Sequence, residues 1–366
     1  MVGSARARSR CPLLAAVLVL VACSETRTVD VPPVTAAPPA LSVTVEGNQL
    51  LDGDGRPLRL LGVNRSGTEY ACAERWGVFD GPSDRGSIAA MASWRINAVR
   101  LPLNEGCWRG HPSLDAAHAG ANYRKAVGDY VQALHRAGLI VVLDLHWSAP
   151  GEELPAKSPR MPNADHSPDF WRSVASQFKP DPAVVFDLFN EPREVDWDCW
   201  QHGCVTEFGW RAAGMQSLVD AVRSTGAQQP VLVPGLDFAN DLSEWLARQP
   251  QDPRHQIAAA FHLYDDNPCS HRACWDAEVA PVAARVPVVT TELGETDCAH
   301  GFIDSFMNWA DANGLSYLGW SWNPTDCRRQ PALISSYDGT PTPYGVGLRD
   351  HLMSLSRRPV PSSSVP

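Results

Sequence analysis

Short runs of apolar residues recur along most of the chain, separated by longer stretches in which apolar positions repeat at helical spacing. Eight runs are short and almost uniformly apolar, as expected for strands that are buried on both faces. These runs cover residues 58–63, 96–101, 139–145, 184–189, 231–234, 257–263, 286–291 and 315–322. The helical spacing is clearest at residues 123–137, 208–224, 275–284, 302–312 and 346–356. The pattern therefore predicts eight strand and helix units in alternation.

Eight alternating units with buried strands predict an α/β protein of the (β/α)8 TIM barrel class, with a parallel inner sheet. A short N-terminal β-hairpin is expected over residues 43–56, with its turn at 52–55. An open doubly wound sheet is the alternative, but no glycine-rich phosphate-binding loop follows the first strand. In a barrel, functional side chains are expected on the face formed by the carboxyl ends of the strands.

The first 40 residues have the pattern of an export leader followed by a tether. Three arginines precede an apolar stretch too short to span a bilayer, which predicts a signal peptide over residues 1–22. Residues 20–23, Leu-Val-Ala-Cys, resemble the lipobox of bacterial lipoproteins, which implies a membrane anchor at Cys23. An ordinary secretory signal with an unmodified Cys23 is the alternative. Either signal places the protein outside the cytoplasm, and the lipobox places it in the cell envelope.

The leader and tether define the rest of the domain organisation. Residues 23–40 are rich in proline and are expected to form an extended, lipid-anchored linker. The barrel domain is then assigned to residues 41–358, and residues 359–366 are expected to be a disordered tail. A formal charge of -10 and the lack of any lysine and arginine cluster argue against nucleic acid as a partner.

The cysteines support an oxidising compartment. Of ten cysteines, eight remain once Cys11 in the leader and Cys23 are set aside, and an even number predicts disulfides. Zinc ligation is the competing use, but the chain has no CxxC pair and no paired histidine motif, so neither a metal nor another cofactor is expected. Proximity along the chain suggests four pairs: Cys72 with Cys107, Cys199 with Cys204, Cys269 with Cys274, and Cys298 with Cys327.

Two glutamates stand at the ends of the fourth and seventh predicted strands. Glu191 lies in an Asn-Glu-Pro motif, and Glu292 in Thr-Glu-Leu-Gly. Cleavage of a glycosidic bond needs a proton for the leaving oxygen, and in retaining enzymes a second carboxylate attacks from ~5 to 5.5 Å away. The sequence thus predicts Glu191 and Glu292 as a catalytic pair. Independent salt bridges at two strand ends are the alternative.

These motifs make the chain similar to family 5 of the glycoside hydrolases, the cellulase-like retaining barrel enzymes. The resemblance covers about residues 41–355, and it assigns Glu191 as the acid/base and Glu292 as the nucleophile. It implies six further active-site positions, which are expected to bind substrate: Arg100, His146, Asn190, His262, Tyr264 and Trp320.

The chemistry of these side chains suggests how each would act. Arg100 can hold Glu292 ionised, and Tyr264 can donate to the same carboxylate. Asn190 is suited to bind the sugar 2-hydroxyl. The two histidines are expected to orient carboxylates or bind hydroxyls, and Trp320 to form the floor under a sugar ring. Five more tryptophans in predicted loops are candidates for sugar stacking: Trp108, Trp147, Trp197, Trp200 and Trp322.

The leading hypothesis is a retaining enzyme that cleaves a β-linked polysaccharide or glycoconjugate, resembling an endo-β-glucanase. A β-mannanase stays open, as does an exo-acting β-glycosidase, because the loops at 194–206 and 265–273 can wall the cleft. A carbohydrate-binding lipoprotein without catalysis is a further alternative. Asp144 and Asp187 lie within strands and are expected to be structural, with hydrogen-bonding partners. The last alternative, a barrel metallohydrolase, would use His146, His262, Asp144 and Asp187.

Overall fold

A computed structural model describes residues 41–356 of the 366-residue chain. Eight of its strands close into a parallel barrel in the spatial order β10-β11-β4-β5-β6-β7-β8-β9. The TIM barrel predicted from the apolar runs is therefore confirmed. The barrel strands are β4 (Leu61–Asn64), β5 (Ala98–Asn104), β6 (Ile140–Trp147), β7 (Val184–Asp187), β8 (Val231–Pro234), β9 (Ile257–Tyr264), β10 (Val288–Gly294) and β11 (Ser316–Gly319).

Helices connect the strands and cover the outside of the barrel. The longer ones bury an apolar stripe, such as Val127, Tyr130 and Leu134 in α3, which accounts for the helical spacing seen in the sequence. The helices are α1 (Arg85–Ser93), α2 (Glu105–Arg109), α3 (Ala121–Arg136), α4 (Ser167–Phe178), α5 (Trp197–His202), α6 (Met215–Ser224), α7 (Trp245–Arg248), α8 (Arg272–Cys274), α9 (Ala280–Ala283), α10 (Gly301–Ala312) and α11 (Pro343–Leu355), with a π-helical turn at Trp275–Val279.

The N-terminal region is a three-stranded antiparallel sheet, one strand more than the predicted hairpin. Its strands are β1 (Thr44–Glu46), β2 (Gln49–Leu51) and β3 (Pro57–Leu58). The turn expected at 52–55 joins β2 to β3. The side chain of Asp52 stabilises it by accepting hydrogen bonds from the backbone N–H groups of residues 54 and 56. A second turn, at Gly47 with φ 58°, joins β1 to β2. Val43 and Leu50 then pack against apolar residues of the barrel strands.

The helix predicted over residues 208–224 was too long at its N-terminal end. Residues 205 and 211 form a β-bridge instead, and α6 begins only at Met215. The cause is a close approach of two chain segments, since a Cβ atom on Gly214 would collide with the backbone of residues 201–203. Trp210, which the sequence placed in this helix, therefore lies in the preceding loop.

Four disulfides join the loops and short helices at the carboxyl ends of the barrel strands. They pair Cys72 with Cys107, Cys199 with Cys204, Cys269 with Cys274, and Cys298 with Cys327, as proximity along the chain suggested. The predicted leader, Cys23, the linker over 23–40 and the tail over 359–366 lie outside the described residues. Between residues 41 and 356, no helix has both the length and the apolar character needed to cross a bilayer.

Candidate active site

Arg100 is the centre of the charged cluster at the carboxyl end of the barrel. It points inward from β5, is fully buried, and contacts carboxylates from three other strands. Its Nη1 lies 2.7 Å from Oε1 of Glu292, its Nη2 lies 2.9 Å from Oδ2 of Asp144, and its Nε lies 2.9 Å from Oδ2 of Asp187. Arg100 therefore contacts the carboxyl group of Glu292 directly.

The two aspartates around Arg100 carry more negative charge than one guanidinium can neutralise. Burial raises the pKa of Asp144 to about 7 against the opposing effect of Arg100, and it raises the pKa of Asp187 well above the usual range. Each aspartate also has a buried Oδ1 without a hydrogen-bond partner among the described residues. The raised pKa of each aspartate favours its protonated form, which lowers the excess negative charge.

A β-bulge directs Glu292 toward the centre of the barrel. In β10, Val289 belongs to the apolar cluster shared with inward residues of other strands, so strict alternation would turn Glu292 outward. The register against β9 shifts between Thr290 and Glu292, which reverses that alternation. Asn64 accepts a hydrogen bond from Arg100 at 3.0 Å and donates one at 2.8 Å to the carbonyl of Thr291 at the bulge.

Tyr264 and His262 complete the surroundings of the two glutamates. The hydroxyl of Tyr264 donates to Oε2 of Glu292 at 2.5 Å. Nδ1 of His262 lies 3.2 Å from Oε1 of Glu191 and 3.7 Å from Oε2 of Glu292. One oxygen of each glutamate and one nitrogen of His262 all lie within 4.8 Å of one another. Glu191, which follows the fourth barrel strand, and Glu292, in the seventh, therefore lie close together.

Burial controls the protonation of the titratable groups around this pair. It raises the pKa of Glu191, although His146, Arg193 and Arg100 oppose the shift. It lowers the pKa of His146 to about 4 and that of His262 to about 3, so both imidazoles are neutral at pH 7. Glu191 consequently has neutral histidine beside it and a higher proton affinity than an exposed glutamate.

His146 and Trp320 form one wall of the site. Nδ1 of His146 lies 2.6 Å from Oδ2 of Asp144, which fixes the ring. The indole of Trp320 stacks on this imidazole, with ring centroids 5.4 Å apart and an interplanar angle of 7°. The peptide bond between Trp320 and Ser321 is cis. Both rings are partly or fully buried, and they form a flat apolar surface of the kind that suits the face of a sugar.

Asn190 is connected to Glu292 through Arg100, which hydrogen-bonds to both side chains. Its Oδ1 accepts a hydrogen bond of 3.1 Å from Nη2 of Arg100, which leaves its N–H groups for other partners. All eight predicted site residues thus lie in one connected network. Asn64 also belongs to this network, although the sequence analysis did not identify it. The sequence signal for it is a single polar residue at the end of the first barrel strand.

Most of the other tryptophans considered as candidates for sugar stacking are core residues. Trp108, Trp200 and Trp322 have no exposed surface, and Trp197 is buried as well. Trp108 lies in α2, and Trp197 and Trp200 lie in α5. The segments predicted as loops there fold into short helices that pack on the barrel. Trp147 alone among the five keeps partial exposure.

The arrangement does not favour the metal site that the sequence left open, with His146, His262, Asp144 and Asp187 as ligands. Asp144 and Asp187 surround a guanidinium, so their negative charge is directed at Arg100. Glu191, His262 and Glu292 are close enough together to ligate a cation, but Arg100 and Tyr264 already occupy both oxygens of Glu292. A metal ion would have to displace an arginine and a phenol from the same carboxylate, and it would face the positive charge of Arg100.

Comparisons with known proteins identify the family of the chain. Endoglucanase C of Evansella cellulosilytica is 25% identical over 81% of this chain, and the mannan endo-1,4-beta-mannosidase of Streptomyces lividans is 24% identical over 77%. The chain spans 38% and 66% of the lengths of these two relatives. The beta-glucanase SdGluc5_26A from Saccharophagus degradans, solved with cellotetraose, superposes with a TM-score of 0.66 at 22% identity, covering 90% of this chain and 99% of that one. The model of the family Cellulase (glycosyl hydrolase family 5) matches residues 51–326. The chain belongs to glycosyl hydrolase family 5.

Proposed function

We propose that this protein is a retaining glycoside hydrolase that cleaves β-linked glucan within the polymer, with Glu191 as acid/base and Glu292 as nucleophile. The observation that carries the proposal is the approach of one oxygen from each carboxyl group to within 4.8 Å. Retaining enzymes separate the two groups by ~5 to 5.5 Å, whereas inverting enzymes leave ~6.5 to 9.5 Å for a water molecule. The short separation supports direct attack by one carboxylate on the sugar.

In the first step, an oxygen of Glu292 attacks the anomeric carbon while Glu191 gives its proton to the leaving oxygen. The glycosidic bond breaks as the ester bond forms, and the leaving sugar departs as an alcohol. In the second step, Glu191 takes a proton from water, whose oxygen attacks the same carbon and releases Glu292. Two inversions at one carbon retain the configuration of the sugar.

The surroundings of the two glutamates suit these different roles. Arg100 and Tyr264 bind both oxygens of Glu292, so the attacking group is an oriented carboxylate. Burial raises the pKa of Glu191, which favours the protonated form that the first step needs. Esterification of Glu292 removes a neighbouring negative charge, so the proton affinity of Glu191 falls before it has to act as a base.

The substrate class is inferred from named relatives. Three of them are Endoglucanase C of Evansella cellulosilytica, Endoglucanase MaCel5A of Microbulbifer sp. and Endoglucanase E-5 of Thermobifida fusca, at 23% to 25% identity. The chain spans between 38% and 57% of their lengths. A β-mannan is the second candidate substrate, because the mannosidase relative reaches similar identity.

The test replaces Glu292 by alanine and assays a panel of β-glucans and β-mannans with sizing of the products. We expect the wild type to release mixed oligosaccharides and the variant to lose at least about 10³-fold in kcat. Added azide should restore turnover of an activated glycoside and yield a glycosyl azide of inverted configuration. Glu207→Ala, at an exposed glutamate, is the control. Undiminished turnover in Glu292→Ala would contradict the proposal, terminal sugars as the only product would indicate exo action, and binding without cleavage by the wild type would favour the non-catalytic alternative.

We also propose that the protein is anchored outside the cytoplasm by lipid on Cys23. Four disulfides within residues 41–356 support an oxidising compartment, where such bonds persist. The test compares the wild type with Cys23→Ser after expression in a bacterial host supplied with labelled palmitate. We expect label and membrane fractionation only for the wild type. Equal fractionation and no label in either protein would support the ordinary secretory signal instead.

A further inference from the structure

His262 lies on a strand that extends beyond its neighbour in the barrel. β9 continues to Tyr264, whereas its pairing with β8 stops at Ala260. Beyond that point β8 supplies no partner for the backbone of His262, which is buried. A buried backbone N–H or carbonyl group without a hydrogen-bond partner is costly. Another segment therefore has to pair with His262 on this side.

The turn over residues 237–239, in the loop after β8, supplies these partners together with Asn240. The carbonyl of Ala239 accepts the N–H of His262 at 3.0 Å, and Nδ2 of Asn240 donates to the carbonyl of His262 at 2.9 Å. The three turn residues have φ values of 50°, 61° and 60°, in the left-handed region that side chains disfavour. Such conformations persist where surrounding contacts hold them. The turn thus replaces the missing end of β8 beside His262.

The side chain of Asn240 is fixed from its other end as well. It is buried, and its Oδ1 accepts the N–H of Cys269 at 2.8 Å. Cys269 lies in the loop after β9, where a disulfide joins it to Cys274. An N–H group can pair only with the amide oxygen and a carbonyl only with the amide nitrogen, so the two partners set the orientation of the amide. Asn240 therefore links the backbone of His262 to a cross-linked loop.

The imidazole of His262 has polar contacts at one end only. Its Nδ1 lies 3.2 Å from Oε1 of Glu191 and 3.7 Å from Oε2 of Glu292, whereas its buried Nε2 has no hydrogen-bond partner among the described residues. The position of the ring therefore depends on the backbone that carries it. We propose that Asn240 is a positioning residue, which holds His262 against Glu191 so that this carboxyl group stays directed at the leaving oxygen. This inference rests on the proposed function.

The experiment compares two substrates whose leaving groups differ in their need for a proton. Phenyl and dinitrophenyl β-cellobioside carry aryl groups of similar shape, but phenolate is the stronger base and depends on the acid, whereas dinitrophenolate departs without it. In Asn240→Ala, we expect kcat/KM for the phenyl glycoside, divided by that for the dinitrophenyl glycoside, to fall about three- to tenfold, in line with the loss of one hydrogen bond. Asn240→Asp keeps the oxygen that accepts from Cys269 but sets a second oxygen against the carbonyl of His262, so its ratio should fall as well. Each ratio is independent of the fraction of enzyme that is folded.

Asn97→Ala is the matched control. Asn97 also bridges two backbone groups, because its Oδ1 accepts the N–H of Leu61 at 2.7 Å and its Nδ2 donates to the carbonyl of Arg59 at 2.7 Å. These bonds lie at the amino end of the barrel strands, so their loss should lower stability and leave the ratio at the wild-type value. An unchanged ratio in either variant of Asn240, even with an equal loss on both substrates, would overturn this inference alone. Failure of the wild type to hydrolyse both glycosides and every glucan would instead contradict the proposed function.

Discussion

Arg100 faces more carboxylates than it can neutralise, and substitution of Asp144 by asparagine measures the consequence. Asparagine has the same shape, and its oxygen can still accept from Arg100 and from His146, so the hydrogen bonds survive while one ionisable group is lost. In the wild type, burial raises the pKa of Asp144 from 3.8 to about 7; Arg100 opposes this shift and the charge of Glu191 adds to it. The folded protein therefore holds a proton that the unfolded chain has released.

The sign and size of the effect follow from this difference. Between pH 3.8 and about 7 the folded state binds more protons than the unfolded state, so the contribution of Asp144 to stability falls as pH rises. The difference between the two pKa values corresponds to roughly 4 kcal/mol of unfolding free energy. The lowered pKa values of His146 and His262 act in the opposite direction, because their neutral folded forms are favoured as pH rises. The difference between wild type and variant cancels the part of the histidine contribution that the two proteins share.

Urea unfolding followed by tryptophan fluorescence, at intervals from pH 4 to pH 8, measures this difference. We expect the free energy of unfolding of Asp144→Asn, relative to wild type, to increase by up to roughly 4 kcal/mol as pH rises from 4 to 7. Asp252→Asn is the control, since Asp252 faces a single cation, Arg223, at 2.8 and 2.9 Å, and its pKa is lowered. Its relative stability should stay nearly level from pH 4 to pH 8, because a lowered pKa changes the stability only as pH falls below the unfolded value of 3.8. Equal slopes for both variants would refute the excess-charge argument.

Three further predictions concern the proposed mechanism and the disulfides. Tyr264→Phe removes a hydrogen bond to Glu292, the proposed nucleophile, and should lower kcat/KM by roughly 10- to 100-fold, measured by steady-state kinetics. Arg193 lowers the pKa of Glu191, so Arg193→Gln should move the basic limb of the kcat/KM profile to higher pH, whereas an unmoved limb would contradict the acid assignment. Replacing Cys72 and Cys107 by serine opens a loop of 35 residues and should cost roughly 4 kcal/mol of unfolding free energy in the same urea assay.

The sequence was sufficient for the barrel because each strand is buried on both faces. Runs such as 139–145 and 257–263 are almost entirely apolar. They could therefore be recognised as buried strands without knowledge of the strands with which they pair. The ends of the strands were less certain, since they depend on tertiary contacts. β10 extends to Gly294 because it pairs with β9 as far as Tyr264, and no local signal in the chain marks that pairing.

Side-chain direction within the site was the part that the sequence could not give. A strict period of two places Val289 and Glu292 on opposite faces of the sheet, and the register shift that reverses this involves pairing with a distant strand. The burial of Trp108, Trp200 and Trp322 was missed for a related reason. Trp108 and Trp200 lie in short helices whose apolar sides are covered only by the completed barrel, and Trp322 follows the last barrel strand and packs edge-on against Trp94 at the end of α1.

The same bulge explains why Asn64 accompanies the two glutamates and Arg100. A register shift leaves a strand carbonyl out of the regular ladder, and a buried carbonyl without a partner is costly. Asn64 donates to the carbonyl of Thr291 and accepts from Arg100, so one amide both stabilises the bulge and orients the guanidinium that binds Glu292. The position of the proposed nucleophile therefore depends on contacts from the first and second barrel strands. Catalytic geometry and closure of the barrel are, at this point, held by the same hydrogen bonds.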